Sequence, residues 1–374
     1  MRAIVLSGGG SKGSYQIGVW KALKKLHIKY DIVTGTSVGA LNAALMTQGT
    51  YFKAVRLWKH ISYNKIIDNE IGSSVIKSYA KGIIKGGMGT TSLEKTVEET
   101  LCLNKLYRSK INMGIITFNV KKMEPLILTK KDIPKNKLKD YLVASASCFP
   151  AFKQKDIDNT KYIDGGYFDN LPINLATQMG ADEVIAVDLK EIGRKRKIEN
   201  KNVKVKIISP RNDIGSFLVF DSDISRRAIR LGYNDTLKEY GKLDGDKYTF
   251  KKNHLLKNYN RYKNKLDKTN FNELSIILEK LGYMFNIDDS KIYNINNFNK
   301  LLINEFKKIP NDKKIKDYLK ENELKKANLD KYMVKYIYND LNNKKLKTVF
   351  KTEYKCALYM HTIMEELWKS WLDY

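Results

Sequence analysis

The chain is short of the residues that usually advertise a compartment or a metal. It has 3 cysteines in 374 residues. Cys102, Cys148 and Cys356 are odd in number, widely spaced, and lack any Cys-x-x-Cys or paired-histidine arrangement. Such a set builds neither a disulfide framework nor a structural zinc site, so a reducing compartment and no metal are expected. Histidine occurs 4 times, as His27, His60, His254 and His361, which leaves few candidates for the middle member of a Ser-His-Asp triad. No apolar run approaches the roughly 18 residues of a membrane-spanning helix. The first apolar strand already begins at Ala3, leaving no room for a signal peptide, and the expectation is a cytoplasmic protein that reaches any lipid from its surface. No carboxylate cluster has the loop spacing of a calcium site. Linkers rich in Pro, Gly or Ser are missing, as are internal repeats.

Positive charge is what the chain has in excess. Its 68 Lys and Arg face 41 Asp and Glu, a net charge of +27. Residues 1–210 hold 35 basic and 18 acidic side chains and residues 211–374 hold 33 and 23, so the excess is not a basic tail. Two readings stand. One is attraction to an anionic lipid surface, worth about 1 kcal/mol per cation close to the membrane. The other is a codon bias that inflates Lys, Asn, Ile and Tyr together. No nucleic-acid-binding module accompanies the charge, and Arg194-Lys195-Arg196-Lys197 reads as a solvated loop, so no nucleic-acid partner is expected.

The length suits a catalytic domain with an appendage. Up to about residue 210, apolar strands such as INMGIITFNV, EPLILT, EVIAVDL and VKIISP alternate with helix-length stretches, the pattern of a mostly parallel sheet covered by helices. From 211 to 374 the strand signals fade. Apolar residues then recur at helical spacing, as in Phe298, Leu301, Leu302, Phe306 and Ile309, and in Tyr354, Leu358, Leu367, Trp368 and Trp371. This predicts a helical C-terminal region, in which Trp368 and Trp371 belong to its own core or to an interfacial anchor.

Three segments carry chemistry. Gly35-Thr-Ser-Val-Gly39 lies between the apolar run Tyr30 to Thr34 and the helix-prone stretch Ala40 to Met46. That places Ser37 on a sharp strand-to-helix turn, with Gly35 and Gly39 where larger side chains would collide with the serine. The strand Ala3 to Leu6 runs into Ser7-Gly8-Gly9-Gly10-Ser11-Lys12-Gly13 and then a helix from Ser14 to Leu26. Glycines at a helix start turn backbone N–H groups toward one point, which suits an anion: a cofactor phosphate or the oxyanion of an attacked ester. The loop formally satisfies G-x-G-x-x-G with Asp31 downstream. A ribose-binding acid belongs at the far end of the second strand, however, and Asp31 opens it. The third segment is Tyr162-Ile163-Asp164-Gly165-Gly166, either a tight turn or an exposed acid.

In this order the three segments resemble the patatin-like phospholipases, also called patatin-like acyl hydrolases. The block ASASCFPAFKQKDIDNTKYIDGGYFDNLPINLATQMGADEVIAVDL is similar to that family's segment around its aspartate. The likeness covers residues 1 to about 210 and continues loosely to about 240, where ISRRAIRLGYNDTLK is similar to a helix of bacterial members. It implies a three-layer α/β/α fold with a mostly parallel central sheet, to which the helical C-terminal region is added. It also implies Ser37 as nucleophile, Asp164 as its general base, and the backbone of Gly8, Gly9 and Gly10 as oxyanion donors. Gly35 and Gly39 would form the elbow, and Gly165 and Gly166 the turn. Lys12, which precedes Gly13 in the loop, supports the loop or a lipid phosphate, or is simply tied to a nearby carboxylate. The scarcity of histidine agrees with a Ser-Asp dyad. His254 alone follows Asp164 within reach of the recognised region, and its surroundings, KKNHLLKN, read as a solvated loop or helix start. The implied activity is hydrolysis of phospholipid, lysophospholipid or a related acyl ester through an acyl-enzyme, without cofactor, at a peripheral anionic membrane surface. Alternatives are a neutral-lipid or acyl-thioester hydrolase on the same dyad, and a non-catalytic lipid-binding protein. Nothing in the sequence indicates an oligomeric state.

Overall fold

Two N-terminal apolar runs become the central strands of a sheet, β1 (Arg2–Leu6) and β2 (Ile32–Thr36). The computed structural model describes residues 1–68, 84, 86–309 and 326–372, with side chains from 330 to 367 in the last stretch. It divides into two compact units, Met1–Thr236 and Leu237–Tyr374. In the first unit, β1 and β2 pair in parallel with each other. They are joined by β3 (Asn112–Asn119), β4 (Glu124–Thr129), β5 (Lys155–Ile157), β6 (Thr160–Asp164), β7 (Glu183–Val187) and β8 (Lys204–Ile208) in one 8-stranded sheet, order β5-β6-β3-β2-β1-β7-β8 with β4 also on β3. The five strands from β3 through β8 along that order run parallel; β4 and β6 on β3, and β5 on β6, are antiparallel.

Every residue of β2, and all of β1 after Arg2, is buried. Successive side chains in a strand point to opposite faces, so both faces of the centre are covered, as a parallel sheet requires. On one face Ala3, Val5, Ile32, Val184 and Ala186 pack with Ile173 and Ala176 of a short helix, Ile173–Gln178. The helices α1 (Gly13–Lys25) and α2 (Val38–Thr47) leave the ends of β1 and β2. Asp31 is spent at the opposite end, where its carboxylate accepts the Arg2 N–H at 2.9 Å. The helix Ser222–Glu239 lies against α1: a Cβ on Gly232 would stand 2.1 Å from the Tyr15 carbonyl oxygen, and the Tyr15 hydroxyl donates to Asp235 at 3.0 Å. The boundary between the units therefore falls inside this helix, beyond the point near 210 where strand signals fade.

The second unit is built around Phe250, Leu278, Phe298, Leu302, Phe306 and Tyr359. Its helices include His254–Tyr262, Phe271–Met284, Ile295–Lys307 and Lys351–Leu372. Phe298, Leu302 and Phe306 are buried as their spacing predicts, whereas Leu301 is exposed. A three-stranded sheet of Leu243–Asp244, Thr249–Lys251 and Ile292–Tyr293 accompanies them. Strands of two or three residues are too short to show a period in sequence. Inside the core, Asn258 donates to the Tyr359 hydroxyl (3.0 Å), which donates to Asn299 (2.8 Å), which donates back to Asn258 (3.3 Å). The side chains of Trp368 and Trp371 lie outside the described residues.

Candidate active site

The register of β3 brings the serine and the aspartate together. β4 occupies one edge of β3 from Gly114 to Asn119, so β2 and β6 share the other. β2 leaves that edge where Thr36 pairs Ile116, and β6 takes over at the next residue, where Asp164 pairs Thr117. Ser37 and Asp164, 127 positions apart in sequence, thus meet end to end at the carboxyl ends of the parallel strands, the usual place for a site in an α/β sheet.

The elbow is strained. Ser37 has φ 59 and ψ −131, a region that non-glycine residues occupy at about 1–3 kcal/mol. Its surroundings hold it there: the Ser37 N–H donates to Ser145 Oγ at 3.0 Å, and Ser145 donates onward to the Ile116 carbonyl at 2.7 Å. The two flanking glycines serve a different purpose from the one expected. A Cβ on Gly35 would stand 2.2 Å from the Gly39 carbonyl oxygen, and one on Gly39 would stand 2.2 Å from that of Leu6. They admit backbone, not the serine side chain.

Asp164 is buried, and the Ser37 side chain lies beside it and favours its ionised form. Gly166 N–H donates to Asp164 Oδ1 at 2.7 Å. Burial pushes its carboxyl up to about 6, and Ser37 and the Gly166 N–H only partly offset the shift. Asp169, also buried, is likewise raised to about 6 by desolvation, against N–H groups of Leu171 and Arg196. It does not line the cavity. Burial pushes the nearby Cys148 thiol up to about 12, so it stays neutral.

The glycine loop runs beside Ser37, with Gly8 so close that a Cβ there would meet Ser37 Cβ at 2.9 Å. Of the three expected donors, the Gly8 N–H is already taken by the Asn170 carbonyl at 3.1 Å. Gly9 and Gly10 line the cavity, and their N–H groups have no acceptor among the described residues. Gly10 has φ 53 and lies against the Phe217 carbonyl, a position closed to any side chain. Lys12 pairs with Glu191, both side chains being largely buried, so the tie to a nearby carboxylate describes it. Behind the site, Trp58 donates to Asn42, Asn42 to Gln16 and the Gly13 carbonyl, and Gln16 to the Ser7 carbonyl, at 2.8 to 3.0 Å. This buried chain fixes α2 against the start of α1.

Sequence reasoning missed several groups. Val38, at the first position of α2, faces the cavity with an N–H that has no intrahelical partner. Asn170 clamps the loop through its carbonyl, and its buried Nδ2 has no partner. Only the NLP that follows the Asp-Gly-Gly turn hinted at it. Ser145 left no local signal. His254 opens a helix of the second unit, its Nδ1 accepting the Ile295 N–H at 3.5 Å, and no histidine lines the cavity.

Ser37 and Asp164 open into a cavity of about 650 Å³. Its walls are Leu41, Leu45, Trp58, Ile66, Val97 and Phe152, with further apolar side chains. A serine beside a buried carboxylate, backbone N–H groups without an acceptor and a long apolar wall form a concave site suited to a substrate with a hydrocarbon part. Residues 4–177, a little under half of the chain, match the family model described as patatin-like phospholipase. Patatin-like phospholipase domain-containing protein 7 of Rattus norvegicus is 28% identical over 191 residues, 50% of this chain and 13% of its own length. The cUMP-AMP-activated phospholipase of Escherichia coli is 27% identical over 215 residues, 50% of this chain and 60% of its own. Among solved structures, VipD from Legionella pneumophila aligns with 97% of this chain and 91% of its own at 14% identity and a TM-score of 0.43. The matches thus span less than two thirds of these curated relatives.

Proposed function

We propose that the protein is a lipid acyl hydrolase of the phospholipase A or lysophospholipase type, working by a Ser-Asp dyad in a reducing, cytoplasmic setting. The observation that carries the reading is Ser37 beside a buried Asp164 carboxylate at the head of an apolar cavity, where strand register brings the two together. Ser37 Oγ attacks the ester carbonyl carbon while Asp164 takes the hydroxyl proton. The developing oxyanion is received by the N–H groups of Gly9, Gly10 and Val38. By analogy with other hydrolases, one such donor is worth about 3 kcal/mol. Collapse of the tetrahedral intermediate expels the alcohol, which takes the proton from Asp164, and leaves the acyl group on Ser37. Water then attacks the acyl-enzyme with Asp164 again as base, releasing the fatty acid and restoring the serine.

The apolar wall supplies binding, about 0.8 kcal/mol per buried methylene, and excludes water from the oxyanion. Choice of a lipid ester is supported by the phospholipase names of the relatives. The test is chemical. A fluorophosphonate probe should label Ser37, and Ser37→Ala should lower turnover across a lipid panel by at least about a thousandfold. Label on a different serine, or turnover that survives Ser37→Ala, would overturn the assignment.

A further inference from the structure

One stretch of the cavity rim faces solvent in a way that packing does not explain. Ile192 lines the cavity and is nevertheless 93% exposed. Arg194, two residues on, also lines the cavity and is exposed, and its guanidinium makes no hydrogen bond or ion pair among the described residues. Asp169 acts on it only through space. Its neighbours are spoken for: Lys195 pairs with Asp188 at 2.7 Å, and Arg196 pairs with Glu199 at 3.0 Å. The charged groups that line the cavity are Asp164, Glu191 and Arg194, and Glu191 is held by Lys12. Arg194 is therefore the one unpaired cation on the wall among the described residues.

The loop is also anchored to the reacting groups. Arg194 N–H donates to the Gly166 carbonyl at 2.9 Å, and the Arg194 carbonyl accepts the Asn170 N–H at 2.6 Å. Gly166 holds Asp164 and Asn170 holds Gly8, so hydrogen bonds tie the rim to the groups around Ser37 and Asp164. An exposed branched aliphatic residue beside a free guanidinium, at the entrance of an apolar cavity, matches an interface that is oily below and anionic above.

We propose that the loop Glu191–Lys197 is where the protein meets an anionic lipid surface. Ile192 enters the boundary between head groups and acyl chains. Arg194 takes a lipid phosphate at the cavity mouth, and an acyl chain below it enters toward Ser37. The positive charge of the first 210 residues draws the surface in, and this loop sets the orientation. The inference rests on the lipid-hydrolase reading and adds the surface and the charge that select the substrate.

Co-sedimentation with phosphatidylcholine vesicles, with and without phosphatidylserine, tests it alongside turnover of a soluble short-chain ester. Wild type binds the anionic vesicles and releases them as salt shortens the Debye length. Arg194→Gln weakens that binding about fivefold, the factor one interfacial cation contributes. Ile192→Ser weakens it on the order of tenfold, and Ile192→Trp strengthens it. In the two weakened variants the ratio of vesicle to soluble-ester turnover falls by similar factors. Binding that ignores lipid charge, binding to neither vesicle, or variants that sediment as wild type does would each overturn the proposal. Soluble-ester turnover that depends on Ser37 would in that case leave the hydrolase reading standing, and its loss would remove the hydrolase reading itself.

Discussion

At the scale of single residues, the proposed mechanism turns on the protonation of Asp164. A base must be ionised to accept the serine proton, and desolvation places this carboxyl at about 6. On the proposed mechanism kcat/KM is flat above that value and falls about tenfold per pH unit below it. A pH–rate profile on a soluble ester checks this, and a limb centred near 4 would show that the carboxyl is unshifted. Stability carries the opposite sign. Folding raises this pKa, so the native state holds the proton more tightly, and the stabilisation is complete below the unfolded value of 3.8 and lost as pH rises through about 6. Above that, the buried anion is a burden of up to about 3 kcal/mol. Asp164→Asn should be inactive yet more stable than wild type at pH 7, with the two converging near pH 4. Comparing the two proteins cancels the similar contribution of Asp169. A stability difference that stays constant with pH would contradict an ionising Asp164.

At the scale of elements, the elbow is held by its partners and not by its own preference. The turn between β2 and α2 needs Ser37 in a conformation serine avoids, and Ser145 satisfies the N–H that this conformation aims away from the helix. Ser145→Ala leaves that buried donor unpaired at about 1–3 kcal/mol. The expected outcome is a lower unfolding temperature together with a kcat loss larger than the change in KM, because the serine hydroxyl loses its aim. Thermal unfolding and steady-state kinetics on the purified variant read both, and an unchanged kcat would mean that the strand register alone positions Ser37.

At the scale of the whole molecule, the residues that line the cavity all belong to the first unit. The second unit has its own aromatic core and its own closed ring of hydrogen bonds among Asn258, Tyr359 and Asn299. Tyr359→Phe removes the hydroxyl that both accepts and donates in this ring and strands two buried amides, a cost of about 1–3 kcal/mol. Unfolding of the second unit should then begin at a lower temperature, while fluorophosphonate still labels Ser37 above that transition. Labelling lost in parallel with the second unit would tie the two energetically.

The sequence by itself determined what is local. A strand, a glycine turn and a helix start are written in neighbouring residues, so both N-terminal β-turn-α junctions, the elbow at Ser37 and the helical spacing of Phe298, Leu302 and Phe306 were legible. Periodicity also marked β3, β4, β7 and β8. Only the tertiary structure decided which distant groups meet. Ser37 and Asp164 are joined because β2 and β6 occupy successive positions on one edge of β3. The Gly8 N–H is taken by Asn170, Lys12 by Glu191, and the Ser37 N–H by Ser145, across separations of 162, 179 and 108 residues. Such pairings arise from sheet register and from the need to satisfy buried polar groups, and neither has a period that a one-dimensional pattern can display. For the same reason Arg194, one of four consecutive basic residues in the sequence, became distinct only when the fold gave Lys195 and Arg196 acidic partners and left Arg194 at the cavity rim.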